Sequence, residues 1–501
     1  MNIKEVLNKG DYKVSERGMI YIEDNIHLLN RWYGEGKTKF IDLVYNDVPY
    51  NSKKEYCIIF NTDTKTAEIA YLDMFGKDVN IDGNITIRYF DVLNDFIKID
   101  INFYNFLVDL HKILPDDSLK SYTTFIGISN WYIHKALKST GSLYHQCDQN
   151  TSHYMKVVLD YIYGKKNFKN EICWCYKTGG AGSKHYPRKH DSILFYTKSD
   201  KYTFNVQYKD RESVYMDNGR RDGKVHIDEK NGREFIYQYP PNHPSKKRGT
   251  KIYMQYMVRD WWNDIKPIHH NSLDRRYPTQ KPVELIDRII KTSSNENDVV
   301  ADFYMGGGTT AVSAIKLKRK FICSDINYRS LSIVRERIEE LKLIPKKDYF
   351  IYGVPQSSVE LRELVKANIY GSYKNSLFAF ESVIIKCYLI GVQGNSKKVG
   401  DSGIDGRFGY LYKKKNYTGY VQVTTSARMN HFKSFCSMVA KGDKGCIGVY
   451  VTFEDTLTSG IIKEAKSYGK VFGVDKVQIL TVENLIDRGI QYQTPSEILT
   501  V

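Results

Sequence analysis

Residues 298–325 read Asp298-Val299-Val300-Ala301-Asp302-Phe303-Tyr304-Met305-Gly306-Gly307-Gly308-Thr309-Thr310, then Ala311 to Arg319, then Lys320-Phe321-Ile322-Cys323-Ser324-Asp325. Asp298 to Asp302 is a short apolar run with β-branched residues and reads as a strand. Three consecutive glycines follow, where a chain can turn sharply and lie close to a ligand. Thr309 to Leu317 has helical periodicity, and Lys320 to Asp325 is a second strand. Val283 to Lys291 before the run, and Ser330 to Leu341 after it, also read as helices. A strand–loop–helix–strand unit of this kind is half of a doubly wound α/β sheet, with the glycine loop at the carboxyl end of a strand.

The loop opens a helix, so free backbone N–H groups face whatever it holds. Asp325 ends the following strand, where a carboxylate can accept hydrogen bonds from two ribose hydroxyls. The G-x-G-x-x-G spacing of a dinucleotide fold is absent, because Thr309 and Thr310 follow the glycines. Asp302 adds negative charge just where a pyrophosphate would lie. A cationic ligand such as S-adenosylmethionine suits that acid better, although a dinucleotide stays open on these residues alone.

A second cluster lies far upstream. Phe40 to Tyr45 reads as a strand that ends at Asn46, and Asp47-Val48-Pro49-Tyr50 follows it. The exocyclic amine of adenine or cytosine is a poor nucleophile, since its lone pair is delocalised into the ring. Two acceptors on its hydrogens favour a pyramidal nitrogen; the Asp47 carboxylate and the Val48 carbonyl can supply them. Tyr50 can stack on a base turned out of the duplex. Such a site works by positioning and electrostatics. No Pro-Cys dipeptide occurs in the chain, which argues against carbon-5 methylation of cytosine. Taken alone, the four residues read more readily as an ordinary strand-to-turn exit.

The 501 residues are too many for one compact core. A net charge of +16 points to a phosphate-rich partner or an anionic membrane. With no run of about 18 apolar residues to span a bilayer, and no signal-like N-terminus, nucleic acid is the better partner and a cytoplasmic, nucleoid-associated location is expected. The eight cysteines show no zinc or disulfide framework. Strand Ser142-Leu143-Tyr144 is expected after a helix that ends near Ser139-Thr140-Gly141. Residues 200–265 are polar, charged and aromatic, with turn signals at Asp217-Asn218-Gly219 and Asn231-Gly232, and read as a loop-rich insert.

Together the two clusters resemble the amino-methyltransferases of DNA, the N6-adenine and N4-cytosine family. Asp47-Val48-Pro49-Tyr50 is similar to its DPPY motif, and Asp302 to Thr310 to its methyl-donor motif. Tyr277-Pro278-Thr279-Gln280-Lys281-Pro282, Gly141 to Asp148 and Tyr186 to Asp191 are also similar to family sequence. The resemblance covers about residues 18–340, in the permuted "beta" order. It implies a Rossmann-like methyltransferase domain over 1–345, with 200–265 as the target-recognition insert, and duplex DNA as partner. It implies that Asp302, Tyr304, Gly306, Gly308, Thr309 and Asp325 line S-adenosylmethionine, with Asp24, Thr279 and Lys281 at its border. Asp47, Val48, Pro49 and Tyr50 are the implied catalytic residues. Aspartate at the first position favours adenine over cytosine. Val48 stands where the family usually has proline, and valine leaves φ free. A homodimer and a separate restriction partner are both compatible with such an enzyme.

Residues 346–375 read as a linker. Beyond it, residues 376–475 resemble restriction-endonuclease-like domains of the Mrr type, which implies a smaller α/β domain over 376–501. Glu381, Asp405 and Gln422 then fall at the positions of its Mg2+ ligands, with Gly400 to Gly406 before the strand that carries Gln422. Thr424 occupies the place of the usual lysine. That loss weakens activation of the attacking water and points to a DNA-binding relic over a working nuclease.

Overall fold

Leu43, Val44 and Tyr45 are buried on alternate faces of one strand, and helices cover both faces. A strand buried on both sides must be nearly continuous in apolar residues, which is how Ile41–Asp47 reads. It is the centre of a nine-stranded sheet. The computed structural model describes residues 17–495 apart from 51–53, 62–65, 74–77, 82–84, 177–183, 211–219, 222–223, 240–249, 270–271, 273–275, 367–376, 378–379, 390, 395–403 and 414. The turn expected at Asp217-Asn218-Gly219 and the residues Gly400 to Gly403 lie outside the described residues.

In chain order the main body contains β1 (Gly18–Ile22), α1 (Asn25–Gly34), β2 (Ile41–Asp47), α2 (Ile101–Ile113), α3 (Asp117–Ala136), β3 (Leu137–Cys147), α4 (Ser152–Tyr163), β4 (Phe168–Cys175) and β5 (His190–Thr197). Then come β6 (Trp261–Trp262), α5 (Val283–Ser293), β7 (Val299–Asp302), α6 (Thr309–Lys316), β8 (Lys320–Asp325), α7 (Tyr328–Glu339) and β9 (Tyr349–Tyr352). Across the sheet the order is β6-β4-β5-β3-β2-β7-β8-β1-β9. Every pairing is parallel except those that β5 makes with β3 and β4. Leu285, Ile286, Ile289 and Ile290 of α5 recur at helical spacing and are fully buried against one face. Leu28, Leu29 and Trp32 of α1, with α3, cover the other.

After β2 the chain winds toward β3; after β7 it winds toward β8 and β9. The winding therefore reverses between β2 and β7, neighbours paired through Leu43–Val300 and Val44–Ala301. A crevice opens at the carboxyl ends of strands where such a reversal occurs, and ligands of open α/β sheets bind there. The Asn46 side chain ties the two strand ends together by accepting from Phe303 N at 3.1 Å.

Three expectations change. Ser139 to Gly141 belong to β3, and α3 stops earlier, at Ala136. Lys198 Nζ donates to Leu137 O at 2.6 Å and caps that helix end. Gly141 is required by close strand approach: an added Cβ would lie 2.9 Å from Leu137 Cδ2 and 3.1 Å from Ile41 O. The insert is not merely loops. It holds short antiparallel ladders, among them Glu234–Tyr239 with Thr250–Tyr253, and sends β6 back to the edge of the main sheet. The stretch 346–375 is no simple linker, since β9 lies within it and pairs with β1, and α8 (Ser358–Lys366) follows.

The C-terminal residues form a five-stranded sheet of β10 (Gln393–Gly394), β11 (Gly406–Tyr412), β12 (Lys415–Val423), β13 (Ile447–Thr452) and β14 (Val477–Thr481), in that order. β10 to β12 pair antiparallel, and β12 to β14 parallel. Its apolar face merges with the main core. Arg335 of α7 donates to Cys387 O at 2.7 Å across the junction.

Gly308 has φ of +70°, and a Cβ there would lie 2.4 Å from Val334 Cγ2. Gly308→Ala therefore meets both backbone strain and a clash. A drop in melting temperature of about 5 °C or more is expected in a thermal melt, together with weakened donor binding.

Candidate active site

Because β2 and β7 are parallel neighbours, Asp47 and the glycine loop emerge at the same edge of the sheet. The loop is held from within. Asp302, only 3% exposed, accepts from Tyr304 N at 3.0 Å and from Thr310 Oγ1 at 2.6 Å. Asp325 accepts from Gly306 N at 2.9 Å and from Asn327 N at 2.8 Å. Gly306 and Gly307 lie against Tyr277, where any side chain would crowd the ring. Arg337 of α7 donates to Gly307 O, and to Thr309 Oγ1 at 3.3 Å. Tyr277 lies in a stretch singled out by resemblance, but its contact with the loop, like that of Arg337, joins segments distant in sequence and has no local signal.

Asp24 caps α1 at the end of β1 and accepts from His27 N at 3.0 Å. Its neighbour Asn25 reaches the loop segment and donates to Phe303 O at 3.3 Å. Tyr304 is part-buried beside this helix start. Burial raises its hydroxyl to about 12. Thr279 lies on the turn just before Lys281. Lys281 does more than border the donor loop. Its carbonyl accepts from Thr309 Oγ1 at 3.2 Å, while its ammonium donates to Asp47 Oδ2 at 2.5 Å. The same ammonium sits 5.4 Å from the centre of the Tyr50 ring.

Behind Asp47 runs a hydrogen-bonded chain. Tyr50 OH donates to Asp47 Oδ1 at 2.8 Å and lies 3.3 Å from Asp191 Oδ2. Gln146 Nε2 donates to Asp191 Oδ2 at 3.0 Å, and Tyr45 OH to Gln146 Oε1 at 2.7 Å. Tyr176 OH donates to Asp191 Oδ1 at 3.2 Å. Burial, only partly offset by Lys281, raises the Asp191 carboxyl above its usual range. Gln146 and Asp191 lie in stretches singled out by resemblance, but their joint role needed the pairing of β3 with β5. Val48 is 2% exposed and packs among the residues under α1 and α3, so its side chain is part of that core.

Asp302 and Asp325 test the fit of a cationic donor. Neither has a lysine or arginine in salt-bridge contact among the described residues. The buried Asp302, without a counter-cation, suits a ligand that carries a sulfonium and an ammonium, and the part-buried Asp325 at the end of β8 suits the hydroxyls of its ribose. Desolvation pushes Asp302 up to about 7 and Asp325 up to about 6.

In the C-terminal sheet, Asp405 N donates to Val421 O at 2.8 Å and its carboxylate accepts from Val423 N at 2.7 Å, which places it beside the Gln422 strand. Glu381 lies on the helical turn that precedes Ile384–Tyr388. Among the described residues no group of three His, Cys, Asp or Glu is placed to hold a metal ion, so the Mg2+ expectation finds no such cluster. No helix among the described residues is long and apolar enough to cross a membrane.

The DNA methylase family model matches residues 41–336. The chain belongs to this family, that of the S-adenosylmethionine-dependent DNA amino-methyltransferases acting on N6 of adenine or N4 of cytosine. It is 30% identical to Type II methyltransferase M1.MboII of Moraxella bovis over 42% of this chain and 78% of that protein. It is 30% identical to Type II methyltransferase M.BamHI of Bacillus amyloliquefaciens, over 45% of this chain but only about half, 49%, of that protein. Identity to the DNA adenine methyltransferase YhdJ of Escherichia coli (strain K12) is 27%, over 41% of this chain and 63% of that one. Among solved structures, the M1.HpyAVI–SAM complex aligns at 16% identity and a TM-score of 0.33, over 64% of this chain and 98% of that one. Residues beyond 336, which carry the C-terminal sheet, lie outside the family match.

The raised carboxyls give the glycine loop a pH dependence. A carboxyl whose folded value lies above the unfolded one, near 3.9 for Asp, is protonated in the fold through that interval. Its ionisation then costs stability as pH rises from about 4 to 7. A cation is bound best once the carboxyls are charged. Affinity for S-adenosylmethionine is thus expected to rise, by up to about tenfold per pH unit per group, between pH 5.5 and 7.5. Asp302→Asn should remove the upper part of that rise. Titration calorimetry checks it, and an affinity flat across this range contradicts it.

Proposed function

We propose that the chain transfers a methyl group from S-adenosylmethionine to N6 of adenine in duplex DNA, as the modification activity of a restriction–modification system. The observation that carries this reading is the position of the Lys281 ammonium. It donates to Asp47 Oδ2 above the face of Tyr50, where a flat base bearing an amine would place its own N–H donor. Asp47 then takes one amine hydrogen and the Val48 carbonyl the other, which leaves the nitrogen lone pair free. Tyr50 stacks on the base; its hydroxyl is anchored by Asp47 and Asp191, so the ring is held before the base arrives. S-adenosylmethionine supplies an electrophilic methyl on a sulfonium centre. Asp302 and Asp325 hold the loop that faces it, and Asp24, Thr279, Lys281, Tyr304, Gly306, Gly308 and Thr309 border that space. As the N–C bond forms, the methyl–sulfonium bond would break with its electron pair kept by the departing thioether, and the proton lost from the amine would pass to the Asp47 carboxylate, an acceptor already in contact with it. Aspartate at position 47 favours adenine over cytosine.

The C-terminal sheet is read as a DNA-binding unit that does not cut. Thr424, in the place of the resemblance's lysine, is engaged locally, its hydroxyl donating to Ser426 O at 3.0 Å.

The full chain incubated with duplex DNA and labelled donor should yield N6-methyladenine on nucleoside analysis. Asp47→Ala should lower transfer by about 10³-fold or more with donor binding kept, since it removes an interaction made with the reacting amine. N4-methylcytosine in the digest would shift the target to the other base, and no label from donor-bound protein would overturn the reading. Duplex DNA in Mg2+ should stay intact; cleavage abolished in Asp405→Ala would replace the DNA-binding reading with a fused nuclease.

A further inference from the structure

The segment from Tyr186 to Asp191 was singled out in the sequence, and the chemistry above uses only its last residue. Tyr186 is 95% exposed, the highest value among the large apolar side chains described. An aromatic ring left wholly in water contributes nothing to this fold. Where it stands is set by the sheet. β4 runs antiparallel to β5, and β5 antiparallel to β3, with Cys147 facing Ser192 and Cys175 facing His190. The end of β4 and the start of β5 therefore lie at the edge where β2 ends in Asp47. The described residues 184–190 lead straight into the hydrogen-bonded network around Asp47: Tyr176 after β4 and Asp191 in β5 are hydrogen-bonded to each other, and Asp191 lies against Tyr50. Tyr176 N also donates to Lys189 O at 2.9 Å, which closes the base of the loop.

The chemistry of the loop is one-sided. Lys184, His185, Arg188, Lys189 and His190 surround the tyrosine, and no acid occurs from 184 to 190. Arg188 is steadied by Asn150, 3.4 Å away on the turn that follows β3. Pro187 fixes its own φ and biases Tyr186 toward extended backbone, so the ring is carried on a stiffened segment. A basic loop with one exposed flat ring, rooted beside the pocket for a turned-out base, matches one partner: a duplex that has just lost a base from its stack. Lysine and arginine suit the phosphates, and aromatic rings stack on bases regardless of sequence. Enzymes that turn bases out have to meet the cost of unstacking them.

We propose that Tyr186 enters the DNA stack at the gap left by the target base, with Lys184, Arg188 and Lys189 on the flanking phosphates. This rests on the proposed function, because it needs a base that leaves the duplex. The test uses the full chain and a duplex carrying the sequence that the enzyme modifies, identified by modified-base sequencing of DNA from an expressing strain. Tyr186→Ala should lower kcat/KM on that duplex by about 10- to 100-fold, the range that base–aromatic stacking spans. Tyr186→Phe should stay near wild type. On a duplex whose target base is mismatched, and so already loosened, the alanine variant should come within about threefold of wild type. Its melting temperature should not change, since the side chain packs on nothing. Wild-type rates for Tyr186→Ala on the paired duplex, or equal losses on paired and mismatched targets, overturn the proposal. A wild-type enzyme that labels neither duplex strikes the methyltransferase reading instead.

Discussion

Val300 and Ala301 pair with Leu43 and Val44 in parallel register, and the two halves of the site depend on that pairing. It brings a strand from the start of the chain beside one from much later, with both carboxyl ends at the same edge. Asn46 locks the arrangement by accepting from the backbone of Phe303, immediately before the glycine turn. A slip of one residue would send every side chain of β2 to the opposite face. Asp47 would then point into the α1 and α3 core in place of Val48. Apolar packing on both faces makes such a slip costly, so burial protects the geometry of the site.

Charge around this junction is arranged unevenly. Asp47 has Lys281 as a close partner, with side-chain exposures of 17% and 13%. Removing one member of this part-buried pair leaves the other charge without its partner, which is unfavourable. The fold therefore holds Asp47 in place until another donor replaces the ammonium. Asp302 and Asp325 lack such a cation among the described residues and are held by neutral donors. Their ionisation is costly in the free protein, and a positively charged ligand relieves that cost. Lys281 also joins the two halves: its backbone accepts from Thr309 at the glycine turn, and its side chain ends on Asp47 of β2.

α7 performs a related structural task. Arg337 reaches the glycine loop, Glu336 and Glu340 near its end meet Arg276 at 3.3 and 2.7 Å, and Arg335 holds the C-terminal sheet through Cys387 O. The glycine loop, the turn that leads to Lys281 and the segment before the second sheet thus all meet one helix. Residues expected to be a linker are instead the outer strand of the main sheet and a packed helix. Their short apolar run, Tyr349 to Tyr352, becomes recognisable as a strand only with β1 beside it.

Much of the site was legible from local chemistry. The glycine turn, the acids on either side of it and the acid-led turn after β2 announce themselves by residue type, because backbone freedom and charge are properties of short segments. The strand and helix limits around residues 283–341 agree with the structure to within two or three residues for the same reason, since periodicity is local. Gly141 misled because a glycine that ends a helix and one that lets strands approach look alike in sequence. Asp191, Gln146, Tyr277 and Arg337 depend on contacts between distant segments, which no spacing reveals. The amino-acid order by itself determined which residues could do the chemistry. The order of strands in the sheet, settled by burying both faces of β2 and β7 at once, decided that they meet.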